Sequence, residues 1–158
     1  MPNHPPLRPK RKHLPHEPPH WVADTSTYFI TINTEPKGVP QLCSAPVPPS
    51  VSHSILDTVD YYHHHGNWTA SLAILMPDHL HALLSFPEQP GLKTTIRNWK
   101  RYLAKTHRIV WQEDFFDHRI RDDNSLREKW FYILNNPVRK SLCESPEDWP
   151  FTKTWPPR

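Results

Sequence analysis

The sequence predicts an α+β domain with a mainly antiparallel sheet and helices packed mainly on one of its faces. Short runs rich in β-branched and aromatic residues alternate with longer segments whose apolar residues recur at helical spacing. The predicted order is strand, helix, strand, strand, helix, strand, helix. That order mixes hairpin-like and helix-linked strands, which favours α+β over a regular parallel α/β sheet.

Four segments have the composition of strands. The first, Thr27–Asn33, reads TYFITIN and is β-branched and aromatic. The second and third, Trp68–Leu75 and His79–Phe86, are joined by the three residues Met76-Pro77-Asp78. A shorter segment, Phe115–Arg121, is predicted as the fourth strand.

Three segments are predicted as helices. The first is Val51–His65, and the second is Thr94–Val110, whose apolar residues fall within one face. The third begins near Ser125, because Ser125 and Glu128 have the spacing of a capping box. It is predicted to stop at Pro137, since the residue before a proline disfavours helical geometry.

Proline marks the expected boundaries of the folded domain. The chain has 158 residues with 20 prolines and only 3 glycines, and the prolines concentrate near both ends and in 36–49. We therefore expect a flexible, proline-rich and partly basic arm at 1–22, one domain at 23–145, and a proline-rich C-terminal tail at 146–158.

Composition argues against several classes of protein. No run approaches the roughly 18 apolar residues of a membrane span, and the first twenty residues lack the apolar stretch of a secretory signal. Cys43 and Cys143 are far apart and form no CxxC motif, so neither a zinc knuckle nor a disulfide framework is indicated. A cytoplasmic location is expected.

The first candidate for chemistry is the pair His79 and His81. Alternation along a strand places both imidazoles on one face and Leu80, Ala82 and Leu84 on the other. Two such histidines can chelate one divalent ion. A pair of histidines on a solvated strand face has the same pattern, so the motif alone leaves both interpretations open.

The second candidate is Tyr132 in the last predicted helix. It lies off the apolar face formed by residues such as Trp130 and Ile133, and Asn136 follows one turn later on the same side. A tyrosine at the rim of the core would show the same placement.

The third candidate is a basic face on the second helix. No acidic residue interrupts it between Lys93 and Arg108, whereas a solvated helix face usually mixes both signs. Phosphate binding and a merely solvated face both fit this pattern. The residues are Arg97, Lys100, Arg101, Lys105 and Arg108.

These motifs together resemble a known family. Met76–His81 (MPDHLH) resembles the HUH motif of single-tyrosine transposases, in which two histidines flank a hydrophobic residue. The segment from Trp111 to Asp123 resembles the linking segment of REP-associated tyrosine transposases, and Tyr132–Arg139 resembles their catalytic helix. The matches occur in the right order between Tyr28 and Leu142.

The resemblance implies a ferredoxin-like fold and a metal-dependent single-stranded DNA endonuclease and strand transferase. Tyr132 matches the nucleophile, which forms a covalent 5′-phosphotyrosine. His79, His81 and Asn136 match the residues that bind a divalent metal. Mg²⁺ or Mn²⁺ suits such a site with open positions, and imidazole ligands favour the softer Mn²⁺.

The expected partner is single-stranded DNA with hairpin (palindromic) elements, bound by a bacterial cytoplasmic protein that acts as a monomer or homodimer. The basic helix would contact the DNA phosphates. An alternative is a catalytically silent relative that only binds DNA hairpins. A metal-dependent hydrolase without a covalent step is a third possibility, with Asp78 or Glu113 as its general base. Tyr102 is an alternative nucleophile, but it lacks the Ile-x-x-Asn sequence that follows Tyr132.

Overall fold

The computed structural model describes residues 14–16, 18 and 26–156. Within these residues the chain forms three α-helices and a five-stranded sheet. The predicted α+β class is confirmed. In chain order the elements are β1 (Thr27–Asn33), α1 (Pro49–His64), β2 (Thr69–Leu75), β3 (His79–Ser85), α2 (Leu92–His107), β4 (Phe116–Arg119), α3 (Asp123–Arg139) and β5 (Thr152–Thr154).

The sheet is antiparallel throughout its described strands, in the order β4-β1-β3-β2-β5. The first four strands with α1 and α2 follow the β-α-β-β-α-β arrangement of the ferredoxin-like fold. The two central strands, β1 and β3, pair Thr31 with His81 and Asn33 with His79. The histidine motif therefore begins at the same end of the sheet at which β1 finishes.

Helices cover both faces of the sheet. Next to β3, the ring of Phe86 contacts Trp68, which contacts Trp99 of α2 with ring centroids 5.8 Å apart. On the opposite face, Tyr132 of α3 contacts Phe29 of β1, with ring centroids 5.9 Å apart. The indole N–H of Trp99 also donates to Thr58 Oγ1 of α1, so α1 and α2 share one face, as the sequence predicts, and α3 lies across the other.

The start of α3 differs from the predicted capping box. Asp122 is the N-cap, and its Oδ1 accepts a hydrogen bond from the backbone N–H of Ser125 at 2.7 Å. An aspartate cap satisfies the same helix-end donors as a serine cap, and its charge also favours the helix N-terminus. The proposed pairing of Ser125 with Glu128 is therefore wrong, and the helix begins earlier.

The predicted stop at Pro137 is also wrong, because α3 continues through it to Arg139. Proline removes one N–H, which here would have bonded the carbonyl of Ile133. Helical hydrogen bonding resumes after the proline, since the N–H of Lys140 donates to the Asn136 carbonyl at 3.0 Å. Pro137 is itself buried, so packing of α3 on the sheet outweighs the local preference.

Both terminal segments contribute to the core. Most of 1–22 lies outside the described residues, but Leu14 is 1% exposed and the Trp130 indole N–H donates to the Pro15 carbonyl. At the other end, β5 pairs with β2, and Trp149 and Trp155 are buried. The structure thus joins residues of both the predicted arm and the predicted tail to the domain.

Among the described residues, none of the helices has the length and apolar character of a membrane-spanning segment.

Hydrogen bonds hold the loop after β1 beside the histidine motif. Its Thr34 N–H donates to the Asp78 carbonyl at 2.9 Å, and its Gly38 N–H donates to Asp78 Oδ2 at 2.7 Å. The Gln41 N–H donates to the Pro77 carbonyl at 2.8 Å. These bonds close one side of a pocket at this end of the sheet.

Candidate active site

A pocket of about 480 Å³ opens at the end of the sheet between β1, β3 and α3. Tyr132, His79, His81 and Asn136, which are widely separated in sequence, all line it. The structure therefore brings together the four residues that the sequence selected. Other residues lining the pocket include Thr31, Asn33, Lys37, Asp78, Arg139 and Lys140.

His79 is held in a defined tautomer by its neighbour. The rings of His79 and His81 lie on the same strand face, with centroids 4.8 Å apart. Nδ1 of His79 donates to Asp78 Oδ1 at 2.7 Å. Because the carboxylate can only accept, the lone pair of a neutral His79 lies on Nε2. A carboxylate behind an imidazole is the usual support of a metal-binding histidine.

Asp78 supports the pocket through both of its carboxylate oxygens. Oδ1 accepts from His79, and Oδ2 accepts from the backbone N–H of Gly38. Burial alone would raise the pKa of Asp78, but these hydrogen bonds lower it below its ordinary value. Its oxygens are thus already engaged, which weakens the case for Asp78 as the general base of a hydrolase.

His81 is buried as a neutral imidazole. It is 4% exposed, and its ring stacks on Phe29 with centroids 5.3 Å apart. Burial, followed by electrostatic interactions with His79 and Arg139, lowers the pKa of His81 to about 3. Nδ1 hydrogen-bonds with Thr31 Oγ1 at 2.8 Å, while the buried Nε2 has no partner among the described residues.

Asn136 presents two further buried polar atoms without partners. Its side chain is 1% exposed, and neither Oδ1 nor Nδ2 finds a hydrogen bond within the described part of the protein. Buried polar atoms are nearly always paired, since an orphaned one costs about 1–3 kcal/mol. Unpartnered atoms on His81 and Asn136 in the same pocket therefore point to a ligand between them.

The donor set fits a divalent cation. Two imidazole nitrogens and an amide oxygen are neutral ligands of the types that first-row divalent ions accept. No cluster of three or more His, Cys, Asp or Glu side chains with metal-binding placement occurs within 14–16, 18 and 26–156. The candidate site therefore depends on His79, His81 and the amide of Asn136, and it leaves coordination positions open.

Tyr132 lies directly beside the histidine pair. It is half-buried, and its ring centroid is 5.4 Å from that of His81. One helical turn separates it from Asn136, so α3 directs both side chains into the pocket. Lys129, three residues before Tyr132 on α3, places its Nζ 4.8 Å from the ring centroid of Phe29.

Sequence comparison and fold comparison give the same family. No protein-family model matches the chain. It is 33% identical over 109 residues to a Haemophilus influenzae protein whose name assigns it to the REP-associated tyrosine transposases; the match covers 56% of this chain and 60% of that protein. It is 30% identical over 84 residues to the REP-associated tyrosine transposase of Escherichia coli K12, covering 50% of each.

The chain resembles REP-associated tyrosine transposases. A solved structure of such a transposase bound to a REP hairpin superposes with a TM-score of 0.68 and 20% identity, covering 80% of this chain and 75% of that one. At this identity the likeness shows the shared fold. The matched region spans about half to three fifths of the two curated transposases.

Three cations that the sequence did not select line the same pocket. They are Lys37, Arg139 and Lys140. The guanidinium carbon of Arg139 lies 4.4 Å from the ring centroid of Tyr132. Arg139 follows Tyr132 by seven residues, which is about two helical turns, so the sequence predicts both side chains on the same face of α3. Lys37 belongs to the loop after β1, and no sequence pattern predicts its position.

The basic face of α2 is only partly as predicted. Two of its exposed cations border a groove of about 1160 Å³ between α2 and residues 109–117. Arg97 and Arg101 line the groove together with the half-buried Trp111. Trp99, by contrast, is 1% exposed and belongs to the core. The exposed members of the face are Arg97, Arg101, Lys105 and Arg108.

Lys100 is separated from the rest of the basic face. It is buried, and its Nζ donates to the carbonyls of Gln112 and Glu113 at 2.7 and 3.0 Å. Burial lowers its pKa, while the nearby Asp114 and Glu113 act in the opposite direction. Lys100 therefore ties α2 to the segment before β4, and its ammonium is not displayed to a phosphate. A basic pattern in sequence cannot distinguish these two uses of a lysine.

Proposed function

We propose that this chain is a metal-dependent single-stranded DNA endonuclease and strand transferase that acts next to DNA hairpins. One observation carries the proposal: Tyr132 shares a pocket with His79, His81 and Asn136, and buried polar atoms of His81 and Asn136 have no partner among the described residues. A nucleophile beside a set of side chains that can bind a metal is the arrangement that cleaves a phosphodiester through a covalent intermediate.

The chemistry is an exchange of one phosphodiester for another. The Tyr132 oxygen forms a bond to phosphorus and the bond from phosphorus to the 3′ oxygen breaks, leaving a 5′-phosphotyrosine and a 3′-OH. The phenol proton passes to solvent, and the 3′ oxygen takes one from solvent. A 3′-OH attacking in the reverse direction reseals DNA without ATP, because the phosphotyrosine conserves the bond energy.

The metal would be Mg²⁺ or Mn²⁺ held by His79, His81 and Asn136. Because these ligands are neutral, a bound ion would keep its full charge to polarise the phosphate and to stabilise charge in the transition state. Asp78 orients His79 through Nδ1, and Thr31 orients His81. These two contacts aim the opposite ring nitrogens into the pocket without adding a negative charge to the ligand set.

The DNA partner is inferred from both charge and family. A solved relative is described as bound to a REP hairpin. In this chain, Arg97, Arg101, Lys105 and Arg108 give α2 an exposed face of one sign, suited to a phosphate backbone. Trp111 in the adjoining groove offers an aromatic surface on which an unpaired base can stack.

Removing two cations from that face tests its role. We expect Arg101→Ala combined with Lys105→Ala to weaken hairpin binding about tenfold or more and to reduce the slope of log affinity against log salt by about 2. The measurement is fluorescence anisotropy of a labelled hairpin at several salt concentrations. Arg121→Ala with Arg127→Ala removes the same charge from exposed sites outside the groove. Equal slopes for the two double variants would assign the α2 cations to ordinary solvation.

The proposed activity has a direct assay. We expect the wild-type chain, given a 5′-tail hairpin labelled 3′ of the candidate cleavage sites and Mn²⁺, to yield a protein–DNA adduct that survives denaturing electrophoresis. EDTA should prevent it. Tight hairpin binding without any cleavage would favour the catalytically silent alternative. Metal-dependent cleavage without an adduct would favour the hydrolase.

A further inference from the structure

Arg139 stands apart from the other surface cations because it contacts the nucleophile. Its guanidinium carbon lies 4.4 Å from the Tyr132 ring centroid, which is cation–π distance. It is exposed at the pocket and makes no salt bridge to any carboxylate in the described part of the chain. A guanidinium stacked by its face leaves its N–H edge free to donate elsewhere.

The pocket around Arg139 is short of negative charge. Among the residues that the structure describes, Asp78 is the one carboxylate that lines it, and both Asp78 oxygens already accept hydrogen bonds from His79 and Gly38. Lys37 and Lys140 add two more cations to the rim. A guanidinium without a carboxylate partner in such a setting is suited to bind an anionic ligand. Its parallel N–H groups can donate two hydrogen bonds to two oxygens of one phosphate.

We propose that Arg139 is a catalytic residue that binds a non-bridging oxygen of the phosphate attacked by Tyr132. The inference rests on the proposed function. Its stacking on the Tyr132 ring fixes the distance between the phosphate and the phenol, so one side chain positions both reactants. Its charge also opposes the negative charge that accumulates on phosphate oxygens as the bond to Tyr132 forms.

The alternative is that Arg139 merely packs on Tyr132 and never touches DNA. Lys129 has a similar relation to Phe29, with its Nζ 4.8 Å from that ring centroid, so stacking alone does not imply substrate contact. The two roles differ in what they require of the substrate. A phosphate contact needs a charged oxygen on the scissile phosphate, whereas a packing role does not.

The test pairs a protein change with a substrate change. Once the cleavage site is mapped, single-turnover rates of adduct formation are measured on a normal hairpin and on one with a methylphosphonate at the scissile position. We expect Arg139→Gln to slow adduct formation about 100-fold on the phosphodiester, with Arg139→Lys recovering part of the rate. On the methylphosphonate, wild type and Arg139→Gln should react at nearly equal rates.

Arg127→Gln is the matched control, since Arg127 is an exposed arginine of the same helix outside the pocket. Thermal melting checks that each variant is folded. An equal loss in both glutamine variants, or an Arg139→Gln defect of the same size on both substrates, would overturn the phosphate contact. If the wild type forms no adduct, the proposed function fails and this inference fails with it. If the wild type reacts and Arg139→Gln reacts equally well, only this inference fails.

Discussion

Tyr132→Phe is expected to abolish the covalent DNA adduct, lowering its rate of formation by at least about 1000-fold. The substitution removes one oxygen and keeps the ring. That ring contacts Phe29 and His81, with centroid distances of 5.9 and 5.4 Å, and stacks with Arg139. Because these contacts persist, α3 should remain in place and hairpin affinity should change by less than about threefold.

The measurement is adduct yield with Mn²⁺ on a denaturing gel, alongside anisotropy for hairpin binding. Tyr102→Phe is the matched control, because Tyr102 is 52% exposed on α2 and is the alternative nucleophile that the sequence offered. We expect Tyr102→Phe to form adduct like the wild type. An adduct that persists in Tyr132→Phe and disappears in Tyr102→Phe would move the nucleophile to α2.

The parts of this site that were predictable follow strict periodicities. A strand repeats every two residues, so His79 and His81 had to share a face once β3 was recognised. A helix repeats about every 3.6 residues, so Tyr132 and Asn136 had to lie one turn apart. That the two pairs meet depends on α3 crossing the β1–β3 face, which no local pattern contains. The family resemblance supplied that link.

The failures arise where packing overrides a local rule. The rule that helices end before proline is an average, and at Pro137 the lost hydrogen bond is outweighed by burial of α3 against the sheet. This outcome keeps Asn136 helical and inside the pocket. Similarly, β5 has only three residues between proline-containing turns, which is too short for a strand pattern in the sequence. It is a strand because it pairs with β2, a tertiary contact that no local pattern shows.

Other residues were missed because their roles are made by tertiary contacts. Asp78 was considered as a base, whereas its two oxygens connect Gly38 of a distant loop to His79. The sequence places Lys100 on a basic face, but its ammonium donates hydrogen bonds to the backbone carbonyls of Gln112 and Glu113. In each case the side chain type was visible in sequence, and its partner was not.

His81→Gln is expected to lower Mn²⁺ affinity at least tenfold and to abolish adduct formation, while hairpin binding survives. His81 supplies a buried Nε2 with no partner in the described structure, and glutamine cannot place an imidazole nitrogen there. Isothermal titration of the DNA-free protein with Mn²⁺ measures the affinity. His53→Gln, at an exposed site on α1, is the control. Unchanged Mn²⁺ binding in His81→Gln would remove His81 from the ligand set.

The same variant carries a pH signature in the metal-free protein. Burial holds the pKa of folded His81 at about 3, against 6.5 for the ordinary side chain. Between these values the unfolded chain binds a proton at His81 that the folded chain does not, so this group destabilises the fold as pH decreases, by at most about 1.4 kcal/mol per unit. His81→Gln lacks that contribution. The measurement is the free energy of unfolding in urea with EDTA present. The value for wild type minus the value for His81→Gln should therefore decrease from pH 7 to pH 4.5. A difference that stays constant would mean that folded His81 accepts the proton as readily as the unfolded chain does, which would contradict its burial as a neutral imidazole.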